Sequence, residues 1–176
     1  MKLEVFIHLS FWVSFFIFVA IIKHYLAFSY WQFWLGGLIG SFLPDIDHLV
    51  YIFFIKPQEL TSQRVSFYLG NKEILKSVGV MYDTRSERAG LIFHTVYFQL
   101  IFWVLTFLMV TSSSVFGKGI VLAFALHLIV DQIVDLTELN SFDNWLKDSP
   151  IKLDFQKAKI YWAVNTAVLL IFGFLL

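Results

Sequence analysis

At 176 residues the chain is 59% hydrophobic, 19% aromatic and only 15% charged, well below the roughly one-quarter charged residues of a soluble domain. The formal net charge of zero leaves no basic field to recruit nucleic acid, so no nucleic-acid partner is expected. Without cysteine there is neither a disulfide framework nor thiolate ligation, and any metal must be held by oxygen and imidazole nitrogen.

The first apolar stretch, residues 5–22, lacks an A-x-A cleavage site. It is also longer than the ~7–15-residue core of a secretory signal, so it reads as a retained helix. The second, residues 25–43, runs up to Pro44, and a short apolar piece, residues 49–55, is expected to continue past that break as an interfacial or re-entrant segment. Residues 56–89 form a polar inner loop whose Val65, Tyr68, Leu69, Ile74, Leu75 and Val78 make a partial helical stripe suited to a membrane surface. Apolar stretches three to five are residues 90–110, 119–136 and 160–176. Between the last two, the inner loop 137–159 carries Trp145, Leu146, Ile151, Leu153 and Phe155 among acids and lysines. A spanning helix needs roughly 20 residues. The expected fold class is therefore all-α, a polytopic membrane helical bundle of about five transmembrane helices forming a single membrane domain over residues 1–176.

With the N-terminus inside, eleven of the 13 Lys and Arg residues fall on inner segments, leaving Lys23 and Lys118 outside. The positive-inside bias thus predicts an integral membrane protein with a cytoplasmic N-terminus. On that topology the ionisable groups converge on one leaflet. His8 lies at the inner end of the first helix, Asp45, Asp47 and His48 at the inner end of the second, and His94 at the inner start of the third. His127, Asp131 and Asp135 follow one another at i+4 steps on one face of the fourth.

Ionisable groups at membrane depth cost a few kcal/mol each and mark functional sites. His and carboxylate groups without sulfur suit zinc in an open catalytic site, with manganese or iron as further candidates, and a metal with an open position activates water as a nucleophile. The candidate ligands are His8, Asp45, Asp47, His48, His94, His127 and Asp131, with Asp45, Asp47, His127 and Asp131 as the catalytic set. Asp135 and Asp47 are also candidates for orienting imidazoles, and Arg88 for clamping a phosphate bidentately. Competing readings are a buried His127–Asp131 pair that only locks helices, a helix end solvated by Asp45 and Asp47, and an Arg88 that serves as a topology charge.

The order of these elements resembles a YdjM-type family of membrane-bound, metal-dependent hydrolases. The matching residues are His8, the run Gly36-Gly37-Leu38-Ile39-Gly40-Ser41-Phe42-Leu43-Pro44-Asp45-Ile46-Asp47-His48, then Phe93-His94-Thr95, and the H-x-x-x-D element His127 to Asp131. The third element departs from the family's H-R-G-x-T-H-S: its first histidine is missing, and Arg88 stands six residues ahead of His94 rather than four. Glu87 is the candidate substitute ligand. The H-x-x-x-D element also resembles helical zinc phospholipase C-like enzymes. That resemblance implies phosphoester hydrolysis, with a membrane lipid among the substrates and partners. Two other classes remain open. One is a non-catalytic membrane scaffold with a structural metal site. The other is a metal or proton transporter, which needs polar groups in both membrane halves and commonly an inverted repeat, whereas the outer halves here offer only scattered Ser, Gln and Thr.

Overall fold

The computed structural model describes residues 2–88, 90–147, 149 and 152–176. Ala89 and Ile151, which the sequence places in the two inner loops, lie outside the described residues. The described residues form helices joined by turns, with no strand among them. Eight α-helices follow in order: α1 (Lys2–Ile22), α2 (Trp31–Phe42), α3 (Ile46–Val50), α4 (Leu60–Gly70), α5 (Ile74–Asp83), α6 (Val96–Val110), α7 (Val115–Val134) and α8 (Phe155–Leu175).

Among the described residues, four helical runs are long and apolar enough to cross a membrane: Glu4–Ile22, Phe28–Ile55, Val115–Leu139 and Phe155–Leu175. The fifth expected helix is shorter. α6 starts at Val96 rather than at residue 90 and holds 15 residues, about 22 Å at 1.5 Å per residue, against a hydrocarbon core of about 30 Å. It starts late because Thr95 caps it, its hydroxyl accepting from Phe98 N at 3.2 Å, while Ile92, Phe93 and His94 bond to the Asp47 carboxylate.

Pro44 does not end the second run. It has no N–H to give, and the following turn tightens to i→i−3 bonds, with Asp45 N donating to Phe42 O and Ile46 N to Leu43 O, both at 3.2 Å. The chain re-enters helix at α3 and continues through a wide π turn over Tyr51–Ile55, so residues 28–55 form one bent rod.

α7 is the central element: most of its residues are buried, whereas α1 and α8 are mostly exposed. α2 packs most closely on it, for a reason visible in the side chains. A Cβ on Gly36 would strike the Phe116 carbonyl, one on Gly40 the Ile120 carbonyl, and one on Gly119 the Phe33 carbonyl. Small residues on both helices let the backbones meet, as at other membrane helix pairs. Elsewhere α1, α6 and α8 turn bulky apolar side chains outward, among them Phe6 (66% exposed) and Ile101 (71%), as lipid-facing surfaces do. The segment between α3 and α6 folds into α4 and α5, joined by a small apolar cluster of Tyr51, Ile52, Val65 and Val80.

Candidate metal centre

The centre is built around Asp131, which is 3% exposed on the central helix. Its Oδ1 lies 3.3 Å from His8 Nε2 on α1 and 2.8 Å from an Arg85 terminal nitrogen. Its Oδ2 lies 3.2 Å from His127 Nε2, one turn earlier on the same helix, and 2.9 Å from His94 Nε2. Asp45 Oδ1 stands 3.6 Å from His127 Nε2, its side chain 54% exposed.

Backbone carbonyls set the protonation of two of these imidazoles. His8 Nδ1 is 3.0 Å from Glu4 O, and His127 Nδ1 is 2.7 Å from Ser41 O. A carbonyl only accepts, so Nδ1 carries the proton in both rings, and in the neutral ring Nε2 presents a lone pair. Both lone pairs then point at the Asp131 carboxylate, itself an acceptor. His8 Nε2 is buried and finds no hydrogen-bond donor. A proton on each Nε2, as on His94, or a cation between them reconciles groups packed this way, and one nitrogen from each histidine with one Asp131 oxygen lie within 4.8 Å of one another. That donor set, two imidazole nitrogens and a carboxylate, is of the kind that holds divalent metal ions. The group could hold a metal.

The Ser41 carbonyl is available because of Pro44. In a regular helix Ser41 O would accept from Asp45 N, but that donor goes to Phe42 O in the tightened turn. The glycine seam then brings α7 close enough for His127 to reach the freed oxygen. The sequence thus orients its histidine in the way that metal-binding imidazoles are commonly held, through the ring nitrogen remote from the ion.

Other residues predicted as ligands have other partners. Asp47, 1% exposed, accepts from Ile92 N at 3.0 Å, Phe93 N at 2.6 Å and His94 Nδ1 at 3.2 Å. It anchors the loop that carries His94. His94 spans the carboxylates of Asp47 and Asp131 with its two nitrogens, the geometry of an imidazolium donating on both sides. His48 Nδ1 accepts from Arg88 Nε at 3.3 Å, and its ring lies 5.1 Å from that of His94. Glu87 accepts from Thr61 at 2.7 Å, and Asp135 accepts from Trp145 Nε1 at 2.7 Å and pairs with Arg85 Nε at 3.2 Å.

Arg88 is 3% exposed and donates to His48, Thr84 Oγ1 and the Met81 carbonyl. Burial, with the neighbouring Arg85 charge, lowers its pKa to about 10. Arg85, which sequence reasoning counted only as a loop charge, is the centre's own cation. It reaches Asp131, Asp135 and, at 3.9 Å, Glu4. Burial alone would weaken its charge, but these carboxylates outweigh that effect and hold its pKa above the ordinary value. The available signal was position, since Arg85 follows the amphipathic α5 and precedes His94 by nine residues.

No protein-family model matches this chain, and neither a curated protein nor a solved structure matches it.

Proposed function

We propose that the protein is a membrane-bound, metal-dependent hydrolase that cleaves a phosphoester with a metal-activated water. The observation that carries this reading is the buried His8 Nε2 lone pair, facing the Asp131 carboxylate beside a second imidazole lone pair from His127. His8, His127 and Asp131 would hold the ion, with zinc the best match to two imidazoles and a carboxylate and manganese or iron next. When bound, a divalent ion supplies Lewis-acid activation of water and of a phosphoryl oxygen. The chain's own groups do the rest: Arg85 and His94 fix both oxygens of Asp131, Ser41 and Glu4 hold the imidazoles in one tautomer, and the half-exposed Asp45 is placed to accept a proton. The motif resemblance to YdjM-type hydrolases points the same way. The charge distribution supports a cytoplasmic N-terminus, with the centre in the cytoplasmic leaflet.

One observation favours a second reading, a non-catalytic scaffold. Arg85 already provides Asp131 with a cation at 2.8 Å, so the centre has a metal-free ion-pair network of its own.

Elemental analysis of detergent-purified protein, beside a His127→Ala/Asp131→Ala double variant, separates the two. One or two equivalents of zinc or manganese, lost in the variant, together with hydrolysis of bis-p-nitrophenyl phosphate, support the hydrolase. A metal-free protein whose double variant is merely less stable leaves the scaffold.

A further inference from the structure

Above the centre lies a cleft of about 660 Å³, within the ~300–1,000 Å³ typical of ligand sites. Its floor is polar, made by His8, Asp45, Arg85, Arg88, His127 and Asp131. Its walls are apolar, with Leu9 and Trp12 from α1, Leu38 and Phe42 from α2, and Val78 and Met81 from α5. Leu9 is 56% exposed, Leu38 49% and Phe42 63%, so the walls are continuous with the lipid-facing surfaces of both spanning helices. α1 and α2 pack on α7 more than on each other; they touch where Phe16 meets Gly37 and Phe33, and the cleft opens between the His8 end of α1 and the C-terminal half of α2. Trp12 closes the cleft one turn beyond His8, its Nε1 donating to Gly37 O at 3.0 Å. Val78, Met81 and Tyr82 of the amphipathic α5 complete the lining.

A wholly aqueous substrate needs no such walls, and an apolar one has no use for two guanidiniums and a candidate ion site on the floor. We propose that the cleft admits a phosphate-headed lipid sideways from the bilayer, between α1 and α2. Its acyl chain lies against Leu9, Leu38 and Phe42, and its phosphate reaches the floor beside Arg85 and His127. This rests on the hydrolase reading for what happens to the phosphate. The route and the substrate class rest on the cleft.

The full-length protein in detergent with Zn2+ is titrated with phosphatidic acid, diacylglycerol and inorganic phosphate, and binding is read by native mass spectrometry. Two variants, Leu9→Trp and Leu38→Trp, narrow the cleft from opposite walls at positions with room for a larger side chain. Phosphatidic acid is expected to bind at least tenfold more tightly than either of the other probes. Each variant is expected to weaken it by tenfold or more while metal content stays at the wild-type level. Equal binding of the three probes, or phosphatidic acid binding untouched by both variants, overturns lateral entry. Hydrolysis of bis-p-nitrophenyl phosphate without preference for phosphatidic acid overturns the lipid proposal and leaves the hydrolase standing. Selective phosphatidic acid binding with no hydrolysis of any phosphoester sinks the hydrolase and upholds the lipid site.

Discussion

His127 on α7 donates from Nδ1 to the carbonyl of Ser41 on α2 across 2.7 Å, and that bond exists because Pro44, three residues further on, disturbs the helix that would otherwise occupy the carbonyl. A proline that looks like a helix terminator thus acts as a positioning device for a candidate metal ligand on another helix.

Pro44→Ala tests this directly. With an N–H at position 44 the turn is free to relax to i→i−4 bonding, and Asp45 N then competes with His127 for Ser41 O. The variant should keep or gain helical stability, because proline inside a helix costs about 3 kcal/mol. Its metal affinity should fall by about 10–100-fold, the usual effect of losing a group that orients a ligand. Zinc titration monitored by competition with a chromogenic chelator reads the change, and wild-type affinity in the variant would refute the link.

Gly40→Ala probes the seam that lets the bond form. The added methyl meets the Ile120 backbone, which cannot step aside as a flexible side chain can. Overpacking of this kind costs about 1–3 kcal/mol, so the melting temperature in detergent should drop. Metal affinity should fall with it, because α2 carries Ser41. A melting temperature equal to that of the wild type would mean that the helices are not in backbone contact there.

Asp47→Asn separates anchoring from ligation. Asp47 accepts three bonds, from Ile92 N, Phe93 N and His94, and an amide keeps one acceptor oxygen where there were two. Loss of a bond to a buried donor costs about 1–3 kcal/mol. Amide exchange at residues 91–94 should therefore accelerate, with metal content close to wild type. Asp131→Asn, in contrast, should abolish metal binding. If Asp47→Asn strips the metal as completely as Asp131→Asn, Asp47 is a ligand after all and the anchoring account fails.

The candidate centre was partly legible in the sequence because acids and histidines stand out in apolar runs, and their positions on predicted helices already put His8, His127 and Asp131 in one leaflet. Arg85 was not legible. It sits in a loop of several basic residues, where a charge that fixes topology and one that buries itself against Asp131 look alike. Hydrogen-bond partners decided the rest. The residue types marked Asp47 as a group able to orient an imidazole, as it does with His94, but not as the anchor of two backbone amides, and the Ser41 carbonyl belongs to the backbone. The helix count differed for the same reason: residues 90–95 are apolar enough to be helical, but Asp47 takes two of their amides and α6 starts only after Thr95.

Arg85→Gln sets the resident cation against the proposed one. In the wild type the guanidinium pairs with Asp131 and Asp135 at 2.8 and 3.2 Å. Removing it leaves two buried carboxylates without their main counter-charge, and breaking a buried pair from one side costs about 3–5 kcal/mol. The metal-free variant should therefore melt well below the wild type. A divalent ion bound at His8, His127 and Asp131 restores a positive charge at Asp131, and a ligand at about 100 times its dissociation constant stabilises by about 2.7 kcal/mol. Saturating zinc should then raise the melting temperature of both proteins, and raise that of Arg85→Gln by more, since the ion no longer competes with the guanidinium for the same oxygen. Differential scanning fluorimetry with and without zinc gives the four temperatures. A variant that is destabilised and gains nothing from zinc would identify the cluster as an ion-pair network in which Arg85 is the only cation that matters.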